Sequence, residues 1–184
     1  MRRHSFLTVL ALVAAFWAVS TVYPKLFPTE LPLVSIALHQ TPRPPADVEF
    51  RTPSGDTIGL DSFRGSYLLV NVWATWCEPC RKEMPALDQL ARAVSGRNIK
   101  ILPISIDVSG AAAVERFYKR MGLRDLDVYV DPSQGVMRSM DVIGIPTTIV
   151  IDPEGRELGR MIGPAQWDAP ESIQHVLEIT GSGG

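Results

Sequence analysis

The spacing of apolar residues changes several times along this chain, and each change marks an element. Residues 67–74, YLLVNVWA, form a continuous apolar and β-branched run of the kind buried on both faces of a sheet. Directly after it, Met84, Leu87, Leu90, Ala91 and Val94 recur at three- and four-residue spacing, so 78–94 reads as an amphipathic helix that Gly96 stops. The alternation continues with a buried strand at 99–106, a helix at 111–121 ended by Gly122, a short strand at 128–130 and a helical turn at 133–140. A strand at 147–151 turns through Asp152-Pro153-Glu154-Gly155 into a second at 156–162, a hairpin, and a helix over 168–180 closes the pattern. Upstream, VEFRTPSGDTIGL predicts two short strands around a Ser54-Gly55-Asp56 turn, followed by a brief helical turn at 61–65. A βαβ half followed by a hairpin and a helix predicts an α/β domain with a mixed central β-sheet, helices on both faces and an N-terminal hairpin.

The N-terminal part follows another rule. Phe6 to Tyr23 carries no charge, and at 1.5 Å per residue about 18 residues span roughly 27 Å, enough for the hydrocarbon core of a membrane. Arg2 and Arg3 precede it and no acid occurs before Glu30, which keeps the N-terminus in the cytoplasm and sends the rest across. Trp17 and Tyr23 lie toward the far interface. The small residues of Ala18-Val19-Ser20 support a second reading, a cleaved signal peptide; under both the domain is exported. Prolines at 24, 28, 32, 42, 44 and 45 then predict an extended tether with an apolar island at 31–38. The expected organisation is therefore an anchor at 1–23, a proline-rich linker at 24–45, a domain at 46–180 and a flexible tail at 181–184.

A length of 184 residues suits one domain plus its tether. The net charge of -2 offers no basic face for releasing counterions, which argues against a nucleic-acid partner. Cysteine sharpens the picture. The chain has two, both in NVWATWCEPCRKEMP at 71–85. With Cys77 at the start of a helix leaving the end of strand 67–74, unpaired backbone N–H groups and the helix dipole favour its thiolate. Cys80, one turn on, is about 5 to 6 Å away and able to attack a mixed disulfide formed at Cys77. This is the layout of a thiol-disulfide exchange pair, with Cys77 exposed and attacking and Cys80 more buried and resolving. Pro79 is accommodated because its missing N–H falls in the first helical turn. Three other readings compete. Zinc needs four ligands, yet His4, His39 and His175 fall in the anchor, the tether and the last helix. A static disulfide would close too small a loop to stabilise much, and two thiolates also suit cuprous ion.

Residues 67–85, together with GIPTTIVIDPEG at 144–155, resemble the thioredoxin superfamily, and within it the membrane-anchored TlpA/ResA-like thiol-disulfide oxidoreductases. The resemblance covers about 46–180 and includes the central TlpA-type insertion between Ser105 and Gly144. It implies that Cys77 is the nucleophile, Cys80 the resolving thiol, and Pro146 a cis-proline facing their disulfide. It further implies that Gly144, Ile145 and Thr147 pair with an extended substrate segment beside Cys77, that Trp76, Glu78 and Pro79 contribute contact surface, and that Pro85 kinks the helix. No cofactor and no metal are expected.

Two departures bear on mechanism. Asn71 stands where thioredoxins carry a buried aspartate, and an amide takes no proton, which leaves Glu83, one turn beyond Cys80, as candidate proton acceptor. Glu78 replaces a glycine, and its carboxylate opposes thiolate formation at Cys77. With no histidine between the cysteines to hold a thiolate, the expected direction is reduction. The resemblance then implies a protein-disulfide reductase in the cytoplasmic membrane, its domain outside. Its partners would be disulfide-bearing exported proteins, apocytochrome c or copper-site assembly proteins, and a transmembrane thiol carrier of the CcdA/DsbD kind. A copper chaperone and a thiol peroxidase are the rival functions on the same fold.

Overall fold

A computed structural model describes residues 30–44 and 46–181. The candidate anchor at 6–23 lies outside the described residues, and among those described no helix is long and apolar enough to cross a membrane. In chain order the strands are β1 (Ala37–Arg43), β2 (Glu49–Arg51), β3 (Thr57–Gly59), β4 (Tyr67–Trp73), β5 (Ile99–Ser105), β6 (Tyr129–Val130), β7 (Thr147–Ile151) and β8 (Glu157–Ile162). The helices are α1 (Glu78–Ala93), α2 (Ala111–Met121), α3 (Gly135–Ser139) and α4 (Pro170–Ile179), with a 3-10 turn at Leu60–Phe63.

The strands form one mixed sheet in the order β1-β8-β7-β4-β5-β6-β2-β3. β4 pairs in parallel with β5 and antiparallel with β7, so it lies at the centre. Its continuous apolar run is buried from Leu68 to Trp73, as a strand covered on both faces requires. The insertion packs onto this centre: Trp73 stacks on Tyr118 of α2 with ring centroids 5.9 Å apart, and Phe117 approaches to 5.3 Å. β6 joins β5 to the N-terminal hairpin, where Phe50 meets Tyr129 edge-on at 5.2 Å.

One part of the expected organisation needs correction. The proline-rich linker was to run through residue 45, yet 37–43 is the edge strand β1, paired antiparallel with β8 at Ala37↔Arg160 and Leu38↔Gly159. An edge strand needs ladder hydrogen bonds on one side only, so Pro42 is tolerated there. Gly159 permits the approach, because a Cβ at that position would stand 2.5 Å from the Ala37 carbonyl oxygen. Just upstream, Val34 and Ile36 are buried in the core. His39, solitary in the sequence, meets Glu157 at 2.7 Å, and Arg160 holds the same carboxylate.

Candidate active site

The site begins where β4 ends. Asp107, buried after β5, accepts hydrogen bonds from the Thr75 N–H at 2.8 Å, the Thr75 hydroxyl at 2.6 Å and the Ser105 hydroxyl at 2.6 Å. Three donors on one carboxylate fix the turn that delivers Cys77 to the head of α1. Cys77 is the N-cap of that helix in an extended conformation, and its Sγ accepts the Cys80 N–H at 3.3 Å. The helix end thus aims an orphan donor at the sulfur, which stabilises negative charge there. Pro79 lies in the first turn, where its missing N–H removes no helical bond.

Cys77 and Cys80 form a disulfide with Cα atoms 5.3 Å apart. Cys77 is 7% exposed and Cys80 0%, so the outer and inner sulfurs rank as the sequence suggested. Cys77 is nevertheless more enclosed than expected, because the segment before β7 covers it: its Sγ lies 3.8 Å from the Ile145 carbonyl oxygen. The Ile145–Pro146 bond is cis. Gly144 and Ile145 are half-buried. Thr147 is buried and donates its hydroxyl to the Gly144 oxygen at 2.7 Å, so it braces this loop from beneath instead of facing outward. Around the rim, Ile143 is 87% exposed and Trp76 65%. Glu78 is exposed, and the hydrogen bond from Lys82 at 3.0 Å holds its carboxyl below the usual range. That ion pair offsets the like-charge opposition Glu78 offers a Cys77 thiolate.

Behind the disulfide lies a buried acid. Glu83 falls on the inner stripe of α1 with Cys80, Met84, Leu87 and Leu90, and it is fully enclosed. Its Oε1 accepts from the Asn71 amide at 2.9 Å, and its Oε2 accepts from the Ala165 N–H at 2.9 Å and the Trp167 indole at 3.0 Å. Burial pushes its pKa up to about 7 against the opposing pull of these three donors. Asn71 also donates to the Thr148 hydroxyl at 2.9 Å, and among the described residues its Oδ1 has no partner.

The structure therefore gathers Cys77, Cys80, Glu83 and Pro146 into one region with Gly144 and Ile145, with Trp76, Glu78 and Pro79 beside them on the surface. Sequence reasoning missed Asp107, Thr148, Ala165 and Trp167. A signal existed for Thr148 alone: a polar Asn71 inside an apolar strand demands buried hydrogen-bond partners, though not which ones.

A helix-capping C-x-x-C against a cis-prolyl loop, on a mixed sheet with β4 at its centre, defines a thioredoxin-like redox protein. Residues 43–156 match the AhpC/TSA family model, and the chain belongs to that family. Among curated relatives, the thiol-disulfide oxidoreductase ResA of Bacillus thuringiensis subsp. konkukian is 31% identical over 109 residues, covering 59% of this chain and 62% of that one. ResA of Bacillus subtilis is 33% identical over 103 residues, or 56% of each chain. The chain thus spans about three fifths of the length of the curated relatives it matches. Among solved structures, a putative thiol:disulfide interchange protein DsbE from Chlorobium tepidum superposes with a TM-score of 0.63 at 22% identity, covering 78% of this chain and 96% of that one; it shares the fold.

Proposed function

We propose that this protein is a thiol-disulfide oxidoreductase that works as a reductant of disulfides in exported proteins. The observation that carries the reading is the pairing of Cys77, capping α1 with the Cys80 N–H on its sulfur, with a buried carboxyl one turn beyond Cys80. The relatives named thiol-disulfide oxidoreductase support the reaction class.

Starting from the dithiol, the Cys77 thiolate attacks one sulfur of a client disulfide, and the other client sulfur leaves as a thiolate that takes a proton. Cys80 then gives its proton to Glu83 and attacks the Cys77 sulfur of the mixed disulfide. The second client sulfur is released, two electrons have passed to the client, and the Cys77–Cys80 disulfide remains. A carboxyl with a pKa of about 7 suits the proton step, since it is neither fully protonated nor fully ionised near neutral pH. Asn71 serves both forms of Glu83. Its NH2 donates to the carboxylate, and a rotated amide turns Oδ1 to accept from the protonated acid. An aspartate at this position would lack the donor. Ile145 stands beside Cys77 with its carbonyl toward the sulfur, a position from which backbone pairing with an extended client is available.

Export rests on the uncharged run 6–23 behind Arg2 and Arg3. A reductant in an oxidising compartment needs recharging, so a transmembrane thiol carrier of the CcdA/DsbD kind is the proposed electron donor. Apocytochrome c or copper-site assembly proteins are the proposed clients. The test is the equilibrium of the Cys77–Cys80 couple with glutathione. A strongly reducing potential is expected; a value near that of the strong oxidant DsbA, about -120 mV, refutes a reductase.

A further inference from the structure

The loop at 163–168 reaches two parts of the site, the cis-prolyl segment and the buried carboxyl of Glu83. Gly163 donates its N–H to the Pro146 carbonyl at 2.9 Å, while Ala165 and Trp167 donate to Glu83. Between those two, Gln166 points its N–H the other way, to the carbonyl oxygen of Pro32 at 2.7 Å. Pro32 opens a segment that runs along the body of the domain. Val34 donates its N–H to the Ser172 hydroxyl of α4 at 3.1 Å, Ile36 donates to His175 Nε2 at 3.4 Å, and both side chains are buried. This segment and the loop both lie outside the stretch matched by the family model, which covers 43–156.

We propose that residues 32–36 are a positioning strap for Glu83: they press the 163–168 loop against α1, keep the Ala165 and Trp167 donors on the carboxyl group, and keep water away from it. The proposal rests on the thiol-exchange reading for its catalytic meaning, since Glu83 serves Cys80 there. The hydrogen-bond geometry stands without it. Groups bonded to Glu83 are Asn71 from β4 and Ala165 and Trp167 from the loop, while Cys80 lies one turn before it on the same buried stripe of α1; no charged side chain contributes to its shift. With burial the dominant influence, admitting water beside the carboxyl lowers its proton affinity more than loss of two donors raises it.

The test uses the full chain in its disulfide form, labelled with carboxyl-13C glutamate, with the Glu83 resonance assigned by its loss in Glu83→Gln. Ser172→Ala combined with Ile36→Ala removes the acceptor for Val34 and shrinks the buried anchor of the strap. The Glu83 titration midpoint is expected to fall by at least one pH unit, a tenfold gain in acidity, with faster amide exchange at Gln166. Leu38→Ala, at an exposed position of β1, is expected to leave it in place. Should the double variant fail to fold, Ser172→Ala alone is expected to move the midpoint in the same direction by about half as much. A midpoint that stays put or rises overturns the proposal, whether or not the Gln166 amide exchanges faster. Because the disulfide form is titrated without turnover, the result is independent of the reductase reading, which stands or falls on the glutathione equilibrium.

Discussion

Replacing Glu83 with glutamine isolates the energetic consequence of burying a titratable group behind the disulfide. In the wild-type disulfide form its pKa is about 7, against an ordinary value of 4.5. Between these values Glu83 binds more protons in the folded protein than in the unfolded chain, so its contribution to stability is fully present below about pH 4.5 and is lost as pH rises through 7. At about 1.36 kcal/mol per unit, the loss across this window is about 3 kcal/mol. Glutamine carries no charge to bury. Its carbonyl accepts from Ala165 and Trp167, and its amide donates to Asn71 Oδ1, the acceptor without a partner among the described residues, once that amide rotates. Glu83→Gln is therefore expected to match the wild type near pH 4.5 and to exceed it by up to about 3 kcal/mol at pH 8, or roughly 6 to 12 °C in Tm for a domain of this size. Urea unfolding of both disulfide forms at pH 5, 6, 7 and 8 measures this, because contributions from other groups cancel in the difference. A difference that stays flat across the series refutes the buried-acid account. The same variant should slow release of client from the mixed disulfide, since Cys80 loses its proton acceptor.

Other substitutions probe neighbouring links. Asn71→Asp places a second carboxyl against Glu83, so the pair should hold one proton past neutral pH and the disulfide form should lose stability at pH 8 relative to pH 5; urea midpoints at the two pH values decide it. Cys80→Ala should hold clients on Cys77 as mixed disulfides, seen by non-reducing electrophoresis and lost in Cys77→Ser; full reductase turnover by Cys77→Ser ends the exchange reading. Asp107→Ala strips the acceptor from Thr75 and Ser105 and should destabilise the domain by about 1 to 3 kcal/mol, with slower alkylation of Cys77 as its capping turn loosens.

Much of the fold was legible because its signals are local. The run at 67–74, the helical spacing after it and the hairpin turn at 152–155 depend on residues a few positions apart, and those elements stand where periodicity put them. Cys77 and Cys80 were readable for the same reason, since a helix start and one turn of helix determine their geometry. The strap was read as a tether because six prolines between 24 and 45 report only on local backbone preference. Its docking depends on acceptors in α4, and that of β1 just after it on a gap at Gly159, all more than a hundred residues away. Glu83 shows the same division: its place on α1 beside Cys80 follows from spacing, while its proton affinity follows from donors 82 and 84 residues distant and from exclusion of water. The sequence by itself determined which sulfurs are paired and which end of a helix holds them. Tertiary structure alone decided how strongly the acid behind them holds a proton, because desolvation is a property of everything that surrounds a group and no local pattern encodes it.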